Sequence, residues 1–226
     1  MARFLSNKTV VATGAAAGAG LACARRFAQA GAHVVLADAD AVRGKAVVRE
    51  MVARGQSAIF VQADAAEQGA LEALAAHAAE AFGGLDILLA AAGATPDARF
   101  RATLEAGREA ARMMIAGGGG GVIINMAALA AFQTLPGLVA EAVASQGIDA
   151  LTQAMAAELA PRGIRVNAVG ARGILSLIAR GADLEEMAEI AIWLAGPQAG
   201  GLDGQMLHAG DSRVPRATVA DPARTA

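Results

Sequence analysis

Short apolar runs alternate with longer amphipathic stretches along almost the whole chain, and the elements follow from that alternation. Residues 9–12, 33–37, 58–63 and 87–92 are apolar runs of the length and composition buried on both faces of parallel sheets. Helix-compatible stretches at 21–30, 41–54 and 67–82 separate them, closed by Gly31, Gly55 and Gly83-Gly84. The second half continues the pattern with a helix at 99–115, a glycine connector at 117–121 and a strand at 122–126. A long helix at 138–159 stops at Pro161 and Gly163, and a strand at 164–169, a helix at 184–194 and a strand at 205–208 follow. Strand and helix in this order predict an α/β fold: a single-domain, Rossmann-like doubly wound parallel sheet with helices on both faces. It spans residues 1–210, and the polar stretch 211–226 reads as a flexible C-terminal tail.

A sheet of this kind binds ligands at the carboxyl ends of its strands. The first strand runs into Thr13-Gly14-Ala15-Ala16-Ala17-Gly18-Ala19-Gly20 and then directly into a helix. Such a turn offers free backbone N–H groups and the positive end of a helix dipole to a pyrophosphate. Three glycines alone suit a tight strand-to-helix turn without a ligand equally well. What favours a site is that Asp38, Asp64 and Gly93 close the next three strands at the same edge. Asp38 stands where an acid can accept hydrogen bonds from adenosine ribose hydroxyls and repel a 2′-phosphate, favouring NAD over NADP. The plainer alternative is a turn or helix-capping aspartate before Asp40.

Composition narrows the partners. With 226 residues, 55% of them hydrophobic, the chain can bury a sizeable single core. A formal net charge of -2 without Lys/Arg runs excludes nucleic acid or a membrane surface held by charge, leaving a small molecule or another protein. Cys23 is the single cysteine, which excludes an intrachain disulfide and a cysteine metal cluster and suits a reducing, cytoplasmic setting. The N-terminus carries no long apolar segment and no later run is long enough to span a bilayer. His33, His77 and His208 are scattered without metal-ligand or triad spacing.

Several segments together resemble the short-chain dehydrogenase/reductase family over nearly the whole chain. Thr13–Gly20 matches its Thr-Gly-x-x-x-Gly-x-Gly motif, Asp38 its NAD-selecting acid, and Asp64-Ala65 its adenine contact. Ile123-Ile124-Asn125, Ala144-Ser145, Ala157-Glu158-Leu159-Ala160 and Gly163-Ile164-Arg165-Val166-Asn167 also stand where the family has similar segments. The resemblance implies a nicotinamide dinucleotide held by Gly14, Ala17, Gly18, Ala19, Gly20, Asp38, Asp64, Ala65, Ala92 and Gly93.

The same resemblance implies a catalytic tyrosine, a lysine four residues later and a carbonyl-binding serine, and here the chain departs from it. It contains no tyrosine. Ala142 falls at the tyrosine position, Gln146 at the lysine and Ala128 at the serine. The family's Asn-Asn-Ala-Gly becomes Ala90-Ala91-Ala92-Gly93, its Pro-Gly after the sixth strand becomes Ala171-Arg172, and 173–183 is too short for its substrate lid. Glu141 is the nearest ionisable substitute, either as an inward acid/base or as a solvated helix residue. Losing acid, cation and carbonyl donor together removes at least the roughly 10²–10⁴-fold that general acid–base catalysis contributes.

Three roles are expected on these grounds. In the first, the chain is an NAD-site protein without ordinary hydride transfer, acting by binding or as a partner or regulatory subunit. In the second, the cleft is repurposed, for non-redox chemistry or as a residual NAD-dependent oxidoreductase using residues foreign to the family such as Glu141, in a pocket lined by Glu141, Gln146, Arg172 and His208. In the third, the chain is a structural subunit, since the 138–159 helix resembles the one the family uses in dimers. A homo-oligomer, or a hetero-oligomer with an intact relative, is expected from that likeness.

Overall fold

The parallel sheet is built from β1 (Thr9–Thr13), β2 (His33–Asp38), β3 (Ala58–Gln62), β4 (Ile87–Ala90), β5 (Gly121–Ala127), β6 (Ile164–Gly170) and β7 (Met206–His208). A computed structural model describes residues 4–64, 67, 69–91, 93, 95–118, 120–127, 139–170 and 181–209. The strands stand in the order β3-β2-β1-β4-β5-β6-β7, and every neighbouring pair is parallel. Parallel neighbours require crossovers, supplied here by α1 (Gly18–Gln29), α2 (Ala41–Ala53), α3 (Ala70–Phe82), α4 (Pro96–Ala116), α5 (Val139–Leu159) and α6 (Gly181–Ala195). The expected doubly wound sheet is therefore the observed one. Its winding reverses between β1 and β4, which opens a crevice at their carboxyl ends.

Strand alternation divides the core in two. Val10, Ala12, Val34, Leu36, Ile87, Leu89 and Ile124 share one buried cluster with Phe27 of α1 and Ile190 and Leu194 of α6. Val11, Val35, Leu88, Ile123 and Val166 share the other with Leu74 of α3, Ala106 and Met114 of α4, and Met155 and Leu159 of α5. Both faces are covered, so the central strands are apolar on both sides and read as unbroken runs.

Helix starts depart from the sequence expectation. α4 begins at Pro96 rather than 99, because Thr95 Oγ1 accepts from Ala98 N–H at 3.3 Å and Pro96 is pre-set for a first turn. α3 begins at Ala70 rather than 67, after Gly69 at φ 81°, and α6 begins at Gly181 rather than 184. Gly121 is not part of a loose connector but pairs with Ile164 in the sheet. β4 ends at Ala90, before the 92 expected, and residues 173–180 and 211–226 lie outside the described residues.

Two polar ties fix α6. Arg26 of α1 forms an ion pair with Glu189. Arg165 of β6 donates to the carbonyls of Leu194 at 2.9 Å, Ala199 at 3.0 Å and Gly196 at 3.4 Å, closing the C-terminal end of the helix. Burial pushes the Arg165 pKa below its ordinary value, and Asp203 opposes that shift. Among the described residues, no helix is long and apolar enough to cross a membrane.

Candidate functional site

The turn from β1 to α1 shows why these positions are glycine. Gly14 and Gly18 take positive φ, at 59° and 57°. A Cβ on Gly20 would lie 2.5 Å from the carbonyl oxygen of Gly14, so the first turn of α1 closes onto the preceding strand only without a side chain. Ala17, the N-cap, supplies no side-chain hydrogen bond, and the first turn contains no acid. Ala17 and Gly18 are exposed and Ala19 is half-buried. An uncapped helix start on an open turn is the geometry that receives an anion.

Asp38 ends β2 beside this turn. Its Oδ2 accepts from Ala16 N–H at 2.9 Å and its Oδ1 accepts from Asp40 N–H at 2.9 Å. The helix-capping role belongs to Asp40, which accepts from Arg43 N–H. The bond from Asp40 N–H gives Asp38 the turn role that the sequence offers as the plainer alternative, while the helix cap itself is Asp40. Asp64 is exposed just past β3, and its carbonyl accepts from Glu67 N–H.

Past β4, Gly93 at φ 120° lets α4 pass close by, since a Cβ there would stand 2.3 Å from Arg99 Cα. Thr13 braces β4 where the expected amide side chains are missing: its Oγ1 accepts from Ala91 N–H at 3.2 Å and lies 3.5 Å from the Leu89 carbonyl oxygen. Gly14, Gly18, Gly20, Asp38 and Gly93 therefore gather at one edge of the sheet. Of the other positions expected to hold a cofactor, Ala65 and Ala92 lie outside the described residues.

The helix α5 packs against α4, β5 and β6. Glu141 neither faces solvent nor stands free as an acid/base. It bonds Arg99 Nη1 at 2.7 Å, and the two side chains are only 17% and 15% exposed. That contact joins the first turns of α4 and α5, 42 residues apart in sequence. Ala142 is half-buried, Ser145 is buried and Gln146 is exposed. Behind them, buried Asn125 donates through Nδ2 to Thr152 Oγ1 at 2.9 Å, and Thr152 donates onward to the Ile148 carbonyl. Ala128 and Arg172 lie outside the described residues.

A cavity of about 890 Å³ opens between α3, α4 and α5, lined by Leu71, Phe100, Leu104 and Val143 together with charged residues of α4. Glu141, Gln146 and His208 do not line it, so the expected cleft is not this one. His33 Nδ1 lies 2.8 Å from Ser57 Oγ, and its ring stacks on Phe82, at the amino edge of the sheet away from the glycine turn. His77 Nδ1 lies 2.7 Å from the Ala73 carbonyl oxygen, and His208 pairs with Gly170 at the end of β7. Among the described residues, no three His, Cys, Asp or Glu side chains could hold a metal. Cys23 is fully buried in α1, which pushes its thiol pKa up to about 12.

Known proteins that this chain is similar to include several dehydrogenases. The family profile described as short chain dehydrogenase matches residues 8–186. The chain is 34% identical over 189 residues to the L-rhamnose 1-dehydrogenase (NAD(P)(+)) of Azotobacter vinelandii, covering 74% of this chain and 73% of that protein. It is 31% identical over 184 residues to the 2,5-dichloro-2,5-cyclohexadiene-1,4-diol dehydrogenase LinX of Sphingobium indicum, covering 75% and 74%. The crystal structure of a short chain dehydrogenase from Mycobacterium smegmatis matches with a TM-score of 0.85 at 27% identity, covering 93% of this chain and 95% of that one.

Proposed function

This chain belongs to the short-chain dehydrogenase family, and on that premise we propose that it binds NAD at the glycine turn but has lost the family's ordinary hydride transfer. It acts by binding, as a partner or regulatory subunit. The observation that carries this reading is the complete absence of tyrosine from the chain. Ala142 takes the expected position of the proton donor and Gln146 that of its lysine.

The residues at the adenosine end fit a dinucleotide. Gly18 opens onto free space, Gly14 takes a positive φ and Gly20 lets α1 close onto the turn, the start of α1 is uncapped, and Asp38 faces the turn. Two N–H groups occupy part of the Asp38 carboxylate, whose remaining lone pairs suit the ribose hydroxyls. The same charge disfavours a 2′-phosphate, so NAD is preferred over NADP. Bound nicotinamide would supply a hydride donor or acceptor. This chain's part is to hold the adenosine half, because Ala142 cannot move a proton and Gln146 carries no charge. Glu141 is engaged by Arg99.

Calorimetric titration with NAD and NADP tests the binding half, with saturable heat from NAD expected and none from either cofactor refuting it. A panel of carbonyls and alcohols with NAD(H) tests the other half. Turnover there would instead support a second reading, an oxidoreductase, which the names of the relatives favour and which would have to use residues foreign to the family.

Self-association is part of the proposal. Val139 and Val143 on the first turns of α5 are 71% and 67% exposed, an apolar pair on one helix face that a second copy would cover. Light scattering on the full chain is expected to give a dimer or larger, and a monomer would refute this part.

A further inference from the structure

Asp38 does more in this structure than wait for a ribose. Two consecutive amides of the glycine turn are tied to the end of β2: Ala15 N–H donates to the Ala37 carbonyl at 3.3 Å, and Ala16 N–H donates to Asp38 Oδ2 at 2.9 Å. Oδ1 of the same carboxylate takes the Asp40 N–H at 2.9 Å, and the Asp38 carbonyl takes Ala63 N–H at 3.2 Å. One residue therefore joins the β1–α1 turn, the approach to α2 and the exit from β3.

The tie to Ala16 sits at the boundary between a held and an open backbone. Ala16 is 5% exposed, whereas Ala17 and Gly18 are exposed, so the turn passes from one to the other within one residue. Gly18 has φ 57°, a region with little steric restraint for glycine, and nothing lies within 4 Å of where its Cβ would be. Beyond that point the next packed contact is Gly20 against the Gly14 carbonyl, so the Ala17 and Gly18 amides lie between two restraints, and the anchor at Ala16 is the one on the strand side. A hydrogen bond to a charged acceptor is about twice as strong as one between neutral groups, so the carboxylate is the firmer of the two ties. A carboxylate has about four lone-pair sites, and the two N–H groups leave room for vicinal hydroxyls on the same group.

We propose that Asp38 is a positioning residue for the phosphate-facing turn as well as a ribose acceptor, so that ribose recognition and turn geometry form one coupled element. The nucleotide part of this rests on the binding reading above; the latch between Asp38 and Ala16 does not. Removing the carboxylate then weakens any nucleoside diphosphate, including one with no ribose hydroxyls for Asp38 to hold.

Amide hydrogen exchange on the nucleotide-free full chain tests the latch. In Asp38→Ala the Ala16 amide is expected to exchange about tenfold faster than in the wild type, while the Val166 amide in β6 is unchanged. Equal Ala16 exchange in the two proteins overturns the proposal. Asp38→Val, equally without an acceptor but suited to a strand end, gives the same readout if the alanine variant fails to fold. The second measurement compares ADP with 2′,3′-dideoxy-ADP. Loss of roughly three- to tenfold in dideoxy-ADP affinity on Asp38→Ala supports the coupling, at the order of the net worth of one ordinary hydrogen bond. Equal dideoxy-ADP affinity for the two proteins overturns it. If the wild type binds neither nucleotide, the nucleotide reading fails, while Ala16 exchange still decides the latch.

Discussion

Glu141 decides whether the crevice retains an acid/base, and its pairing with Arg99 leads to a measurable expectation. The two side chains are 17% and 15% exposed and bond at 2.7 Å. Unit charges about 4 Å apart attract by about 4 kcal/mol at an effective dielectric of 20, and desolvation offsets much of that. Removing one partner strands the other charge among the first turns of α4 and α5. Glu141→Leu and Arg99→Met should therefore each cost about 2–3 kcal/mol, a sizeable share of the ~5–15 kcal/mol typical of a domain. The double variant leaves neither charge stranded and should cost less than the two singles added together, giving a coupling of about 1.5 kcal/mol or more. Urea unfolding of the four proteins measures this directly. Additive losses, with coupling under about 0.5 kcal/mol, would refute the structural role and return Glu141 to candidacy as a proton carrier.

Packing and burial set three further expected outcomes. Gly20→Ala would force a Cβ against the Gly14 carbonyl, so it should destabilise the fold by about 1–3 kcal/mol in urea and weaken NAD in calorimetry. Arg165→Met keeps the apolar stem but leaves the Leu194, Gly196 and Ala199 carbonyls without their donor, and chemical denaturation should show a loss of about 2–4 kcal/mol. Burial raises the Cys23 pKa from the usual 9.0 to about 12, so above pH 9 the unfolded chain gives up a proton that the folded chain keeps. Stability present below pH 9 should then fall by about 1.4 kcal/mol per pH unit toward pH 12, and the slope should be smaller in Cys23→Ala when the two unfolding profiles are compared.

What the sequence discloses is local. β1, β2 and β4 are apolar runs bounded by Gly or Asp, and burial on both faces makes such runs plain to read. The glycine turn is legible because positive φ and close approach both restrict the residue type. Helix starts are less legible: the Thr95-Pro96 cap that begins α4 is a readable signal, but Gly69 before α3 is not distinct from an ordinary loop glycine. Least legible are ties between distant segments. The Arg99–Glu141 pair exists only once β4 and β5 have set α4 beside α5, and a glutamate on the first turn of a helix otherwise reads as solvated. Asp38 likewise reads as a ribose acceptor, while its hold on Ala16, 22 residues back, depends on the register of β1 against β2.

The most direct test of the central claim is a fluorescence titration of the full chain with NADH, held for hours in the presence of mixed aldehydes and ketones. The account predicts a saturable change in NADH emission that persists, since the nucleotide is bound and not consumed. A signal that decays as NADH is oxidised, in proportion to enzyme concentration, would contradict it.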